Sequence, residues 1–283
     1  MKRTAFTLIE LLTVIVIVAM LAALLLPAVN ASREAARRAQ CVTRQRDIIL
    51  AMHAYNTDYE CLPGSLNQMY APPSAFSWVV AILPMLGENQ RYEALMNDPA
   101  ADTGSLEVVI CPSAKIRGNT SPLHYVVNCG PVEETDMGSQ TAAFVLFRDR
   151  RNSTINKKVK LEEIPDGTGN TILLSENIEE KEWSPRNFNL PSDDSDLLLP
   201  PPSTRTGELG GTRSKVVVKN CGFLWDSCVP PATHPAPAYP RPSSYHAGVY
   251  VAGYGDGSAK TFSDETPVNI YLKAVCPDDE KAK

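Results

Sequence analysis

The sequence predicts an α+β chain: one long N-terminal helix, transmembrane in its first half and amphipathic in its second, then a mixed head carrying an antiparallel sheet. Three observations predict it. From Leu11 to Leu26 only Thr13 interrupts an apolar run. Residues 28–57 then bring apolar side chains back at three- and four-residue steps. Beyond residue 58, short strand-like runs alternate with Gly- and Pro-containing turns.

Composition sets the outer bounds. A chain of 283 residues is long enough for one large domain or two small ones. Its 27 basic and 32 acidic residues leave no basic excess, which argues against a nucleic-acid partner. Seven cysteines include no CxxC pair, which argues against a zinc ribbon or a thioredoxin-type site.

The N-terminus decides the class. Met1 to Ala5 is a short basic leader, and residues 6–26 have about the length of a bilayer-spanning helix, roughly 20 residues. A cleaved secretory signal would have a shorter apolar core and a small-residue site on its far side. Glu10 stands inside the span, where an ionisable group costs roughly 3 kcal/mol and calls for a partner.

Ala5-Phe6-Thr7-Leu8-Ile9-Glu10 resembles the N-terminal motif of type IV pilins and type II secretion pseudopilins. The resemblance implies that a prepilin peptidase cuts between Ala5 and Phe6 and methylates the new N-terminus. It implies that Glu10 pairs with the terminal amine of a neighbouring pilin-like subunit during assembly. The residue before the cut is usually Gly in that family, and here it is Ala5. The implied organisation is a leader at 1–5, a transmembrane and spine helix at 6–57, and an α+β head at 58–283. That head would lie outside the cytoplasm, tethered by a single pass through the inner membrane. Arg33, Arg37, Arg38, Arg44 and Arg46 pull the other way, because positive flanks favour the cytoplasmic side. The motif outweighs them, since its peptidase acts on a cytoplasmic leader.

In the spine, Ala28, Ala31, Ala35, Ala39, Val42, Ile49 and Met52 form the expected apolar stripe. Pro27 predicts a kink or local melting, and Pro63-Gly64 closes the helix. The rod would be about 75 Å long. In the head, 75–86 and 88–96 read as short helices broken at Pro84 and Gly87. Strand-like runs cover 106–111, 124–127, 142–147, 171–175, 215–219, 248–253 and 258–262. The proline-rich stretches 185–206 and 229–242 read as loops. The acidic segment 192–196 reads as a solvated loop, with a calcium site as the rarer alternative.

Further segments carry a second resemblance: Ala35-Ala36-Arg37-Arg38-Ala39-Gln40-Cys41, Trp78 with Ala81-Ile82-Leu83-Pro84, Cys111-Pro112-Ser113, 166–171, Ser175-Glu176, and His246 followed after nine residues by Asp256-Gly257. Together they are similar to a bacterial family of prepilin-like proteins ending in an H-x9-DG domain of unknown function. Along one strand ten residues span roughly 33 Å, so His246 and Asp256 cannot meet while the segment stays extended. Asp256-Gly257 reads as a hairpin turn and His246 as a hydrogen-bonded residue at the far end. Asp166-Gly167 and Asn170 read as turn chemistry, and Glu176 as a buried, paired group.

The chain carries no nucleophile elbow, P-loop or dinucleotide fingerprint, and its four histidines are scattered, so neither catalysis nor a metal or other cofactor is expected. Helix geometry separates Cys41 from Cys61. The helix advances roughly 24 Å to residue 57, and four residues retrace at most about 14 Å. The gap exceeds the ~7 Å limit for a disulfide. Cys41 is expected as a small buried side chain. Cys61 with Cys111, and Cys221 with Cys228, are the disulfide candidates. A structural pilin-like or pseudopilin-like subunit is the reading that follows. The alternative is an extracytoplasmic binding protein, for a glycan or surface partner, that uses the prepilin segment for delivery. The ligand of such a head is not legible.

Overall fold

The structure is a computed structural model. It describes residues 8–64, 66–68, 75–98, 101, 103–114, 121–128, 158–183, 244–263, 266, 270 and 274. Helix α1 (Leu8–Tyr59) runs 52 residues, about 78 Å, and is not interrupted at Pro27. The local melting expected there does not occur: the ring removes one intrahelical hydrogen bond, and the flanking turns keep the helix running.

The two halves of α1 differ in what surrounds them. Every residue from Leu8 to Leu26 is exposed. Among the described residues α1 alone is long and apolar enough to cross a membrane, and its apolar window is nowhere covered by the head. Further on, Cys41, Gln45, Ile48, Ile49, Met52 and Asn56 are buried, a stripe at three- and four-residue steps that faces the head. Ala28, Ala31, Ala35 and Ala39 of the expected apolar stripe are exposed in the single chain. The head-facing stripe continues towards the apolar half through the half-buried Arg37 and Glu34, which are polar. An apolar period cannot reveal such a face.

The head begins with a hairpin of β1 (Leu66–Gln68) and β2 (Ala75–Ser77). Helix α2 (Trp78–Ile82) follows, then a 3₁₀ turn at Leu83–Leu86 closed by Gly87 at φ 79°. Helix α3 (Asn89–Asn97) comes next. The helix expected over 75–86 therefore starts three residues late, after a short strand. Residues 106–111, expected as strand, contain a 3₁₀ turn at Glu107–Val109. Leu106, Val109 and Cys111 are buried there, and Arg44 of α1 donates to the Ile110 carbonyl at 2.6 Å. Side chains of α1 and of Tyr125, rather than a backbone ladder, satisfy that segment.

The main sheet has four antiparallel strands in the order β3-β4-β5-β6: β3 (Pro122–Val127), β4 (Ile172–Glu182), β5 (Val249–Tyr254) and β6 (Ala259–Ser263). Its α1 side, with Leu173 and Val251, joins Ile48, Met52, Trp78, Leu83 and Trp183 in the core. Its other face buries Ile172, Tyr250, Ala252 and Tyr254. Helix and sheet touch most closely at Gly253, where an added Cβ would sit 2.3 Å from Ile49 Cδ1. The expected strands at 142–147 and 215–219, both proline-rich loops and the acidic segment 192–196 lie outside the described residues. The architecture is pilin-like: one long apolar helix, half bare and half packed, ahead of an α+β head.

Candidate functional site

The turn at the tip of the sheet explains two of the quoted segments. Asp256 Oδ1 accepts from Ser258 N at 2.8 Å, and Gly257 takes φ 85°, a conformation that favours glycine. Gly255 N donates to Thr171 O at 3.0 Å, and a Cβ on Gly255 would meet Thr168 O at 3.0 Å. The 166–171 turn packs on this tip, with Gly167 at φ 79° and Asn170 Nδ2 donating to Asp166 O at 3.0 Å. His53 of α1 bonds the Gly255 carbonyl at 2.6 Å. These residues hold backbone against backbone at the tip.

Chemistry gathers at the other end of β5. His246 is buried just ahead of that strand, separated by its whole length from Asp256. Around it stand Cys41 of α1, Cys111 from the segment after the Glu107–Val109 turn, and Glu176 of β4, all buried. Their four donor atoms lie within 4.8 Å of one another. Cys41 Sγ donates to Glu176 Oε1 at 2.9 Å. Cys111 Sγ is 3.6 Å from that same oxygen and 3.7 Å from His246 Nε2. His246 Nε2 is 3.4 Å from Glu176 Oε1.

Each group is held from behind. The β4–β5 register runs to Ser175 opposite Ala252, and beyond it Val251 N donates to Glu176 Oε2 at 2.7 Å. His246 Nδ1 meets Glu34 Oε1 of α1 at 2.6 Å. Glu34 is steadied by Arg37 and by Ser113 Oγ at 3.2 Å. Tyr125 Oη of β3 lies 3.2 Å from Cys41 Sγ. The polar start of the head-facing stripe on α1 is therefore the back wall of this cluster.

Electrostatics follow from burial and crowding. Burial, then the neighbouring Cys111 charge, pushes Glu176 up to about 7. Cys41 beside it, helped by His246, pulls Cys111 down to about 4. Cys41 is pushed far up by its neighbour Cys111, by burial and by Glu176. Burial opposes protonation of His246, but its contacts with Cys111, Glu176 and Glu34 outweigh this and raise it to about 9. Few protons are shared among several bases, an arrangement that a bound cation would replace.

The sequence-derived site residues fall in different places. Ala5, Phe6, Cys221 and Cys228 lie outside the described residues. Glu10 lies in the first turn of α1, inside the exposed apolar half. The pairing of Cys61 with Cys111 needs correcting: both are free buried thiols. Cys61 Sγ turns back to the Tyr59 carbonyl at 3.3 Å, at the end of α1, while Cys111 docks beside Cys41, many turns earlier. Cys41 is likewise free and buried.

Sequence reasoning singled out no metal set, yet the fold assembles one from four segments. Cys111 and Glu176 are 65 positions apart, and Cys111 and His246 are 135 apart. No local spacing could announce it. The available signal was different in kind: Cys41, Cys111, Glu176 and His246 each belong to a different one of the segments quoted for the family resemblance.

Comparison with curated proteins and with solved structures returns no match. Residues 30–269 match the family described as protein of unknown function DUF1559, labelled SBP_bac_10. That match covers the outer half of α1, the sheet and all four clustered residues. The chain therefore belongs to DUF1559, a prepilin-like family with an H-x9-DG motif.

Proposed function

We propose that this protein is a processed, membrane-anchored structural subunit of the pilin or pseudopilin kind. A prepilin peptidase cuts between Ala5 and Phe6 and methylates Phe6. The apolar half of α1 then sits in the inner membrane with the head outside the cytoplasm. Neighbouring subunits associate through their bare helix halves, with Glu10 meeting the terminal amine of the next chain. The role is structural rather than catalytic.

The observation that carries this reading is the division of α1. One continuous helix leaves Leu8–Leu26 uncovered on every side and buries a single stripe further on. A helix apolar all round needs lipid or other helices around it.

The test is subunit crosslinking in native membranes. Glu10→Ala should insert normally and keep head stability, but yield clearly fewer crosslinks between subunits than the wild type. Equal crosslinking of the two would remove assembly from the reading.

A further inference from the structure

We propose that Cys41, Cys111, Glu176 and His246 bind one zinc ion in a closed, four-coordinate site that clips the spine helix to the sheet of the head. The proposal rests on the site's own geometry and stands whether or not the chain assembles into fibres.

Distances come first. Zinc bound to thiolate at about 2.3 Å and to nitrogen or oxygen at about 2.0–2.2 Å sets tetrahedral edges near 3.6 Å for S···N or S···O and near 3.4 Å for N···O. The structure has 3.6 Å between Cys111 Sγ and Glu176 Oε1, and 3.7 Å between Cys111 Sγ and His246 Nε2. It has 3.4 Å between His246 Nε2 and Glu176 Oε1. One triangular face of the tetrahedron is thus already at the spacing zinc requires. The Cys41–Glu176 edge, at 2.9 Å, is that of a thiol hydrogen bond. Metal binding removes that thiol proton and opens the edge by roughly 0.7 Å.

The residues behind the ligands match what a metal demands. A ligating histidine presents one ring nitrogen to the metal and gives its other N–H to a carboxylate or carbonyl. Glu34 Oε1 sits on His246 Nδ1 at 2.6 Å, which turns Nε2 towards the cluster, where binding a cation releases its proton. Glu176 commits one oxygen to Val251 N at 2.7 Å and turns the other inward. Burial of two thiols, a carboxyl and an imidazole with such orientation is costly without a cation, because each charge or polar group must find compensation.

Donor chemistry selects the ion. Two thiolates and an imidazole disfavour calcium and magnesium, which take oxygen ligands. The carboxylate disfavours copper(I), which prefers soft ligands throughout. A mixed S/N/O tetrahedron suits zinc, and four protein ligands make the site structural. Cys41 comes from α1, Glu176 from β4, Cys111 from the segment ahead of β3 and His246 from the segment ahead of β5. One ion therefore fixes the helix relative to the sheet.

The test uses the full chain in detergent micelles, stripped of metal and titrated with zinc. One zinc per chain is expected by elemental mass spectrometry, with X-ray absorption showing two sulfur neighbours and two nitrogen or oxygen neighbours. Glu34→Gln keeps all four ligands and should bind zinc about 10–100-fold more weakly. His246→Ala should lose stoichiometric zinc while the protein keeps its sheet by circular dichroism. If that variant fails to fold, the wild-type titration and Glu34→Gln still decide. Wild-type protein that takes up no zinc overturns the proposal. So does a Cys41–Cys111 disulfide peptide from native protein, or a zinc shell with fewer than two sulfurs.

Discussion

The two halves of α1 are one helix in geometry and two in chemistry. From Leu8 to Leu26 nothing in the chain covers the side chains, and Leu8 is 81% exposed. From Cys41 to Asn56 a single stripe is buried, and Ile48 is 0% exposed. The comparison teaches that helix content says little about environment. Apolar side chains on all faces require surroundings on all faces, whereas a stripe requires one partner. Here the partner is the head, and the boundary between the two regimes is the polar stretch Glu34–Arg37 that backs the cysteine–histidine cluster.

The largest effect should come from applying one kind of truncation to both halves. Ile48→Ala leaves a cavity between α1 and the head and should cost about 2–5 kcal/mol. Leu12→Ala, in the bare half, should leave head unfolding within about 0.5 kcal/mol of wild type. Denaturant unfolding in micelles, followed by Trp fluorescence from Trp78 and Trp183 in the core, compares them directly. Similar losses for both variants would break the distinction.

A smaller effect should come from the closest approach of helix and sheet. Gly253→Ala places a methyl against Ile49 and should destabilise by about 1–3 kcal/mol, while Ala252→Gly, facing the other way, leaves that contact intact. Comparing the unfolding midpoints of Gly253→Ala and the double variant Gly253→Ala/Ile49→Val sharpens the point. If the clash is the cause, the double variant recovers part of the loss.

Next is Asn56, the last buried residue of the stripe. Its Oδ1 accepts from Leu161 N at 3.3 Å, so Asn56→Ala strands a buried N–H and should cost about 1–3 kcal/mol. Amide exchange at Leu161 should quicken in that variant, and an unchanged rate would place the loss elsewhere. Smallest of all is Glu60→Gln. The exposed Lys160–Glu60 pair at 3.0 Å is open to water and salt, so its loss should not move the unfolding midpoint measurably.

Much of the architecture was legible because it obeys simple periods. The apolar run 11–26, broken only by Thr13, announced a membrane-length helix, and the strand-like runs 248–253 and 258–262 announced strands β5 and β6. Residues 106–111 misled because their apolar run is buried by α1 and turned by a 3₁₀ segment, a tertiary choice. Of the kink or local melting expected at Pro27, the melting is absent because the loss of one N–H bond does not stop a helix whose other turns remain intact. The apolar period at Ala28–Ala39 did not reveal the head-facing side there, because that side is formed by the polar Glu34 and Arg37. For the candidate site, His246 was visible as one end of a motif. Its grouping with Cys41, Cys111 and Glu176 required the crossing of α1 over the sheet, which no local pattern encodes.

The proposed function makes the bare half of α1 the membrane anchor of a pilin-like subunit whose mature chain starts at Phe6. The most direct measurement is mass spectrometry of the N-terminus of protein recovered from membranes of cells with active prepilin peptidase. The account predicts a mature chain starting at N-methylated Phe6, with Glu10 as its fifth residue. Recovery of intact Met1, with the leader still attached, would contradict it.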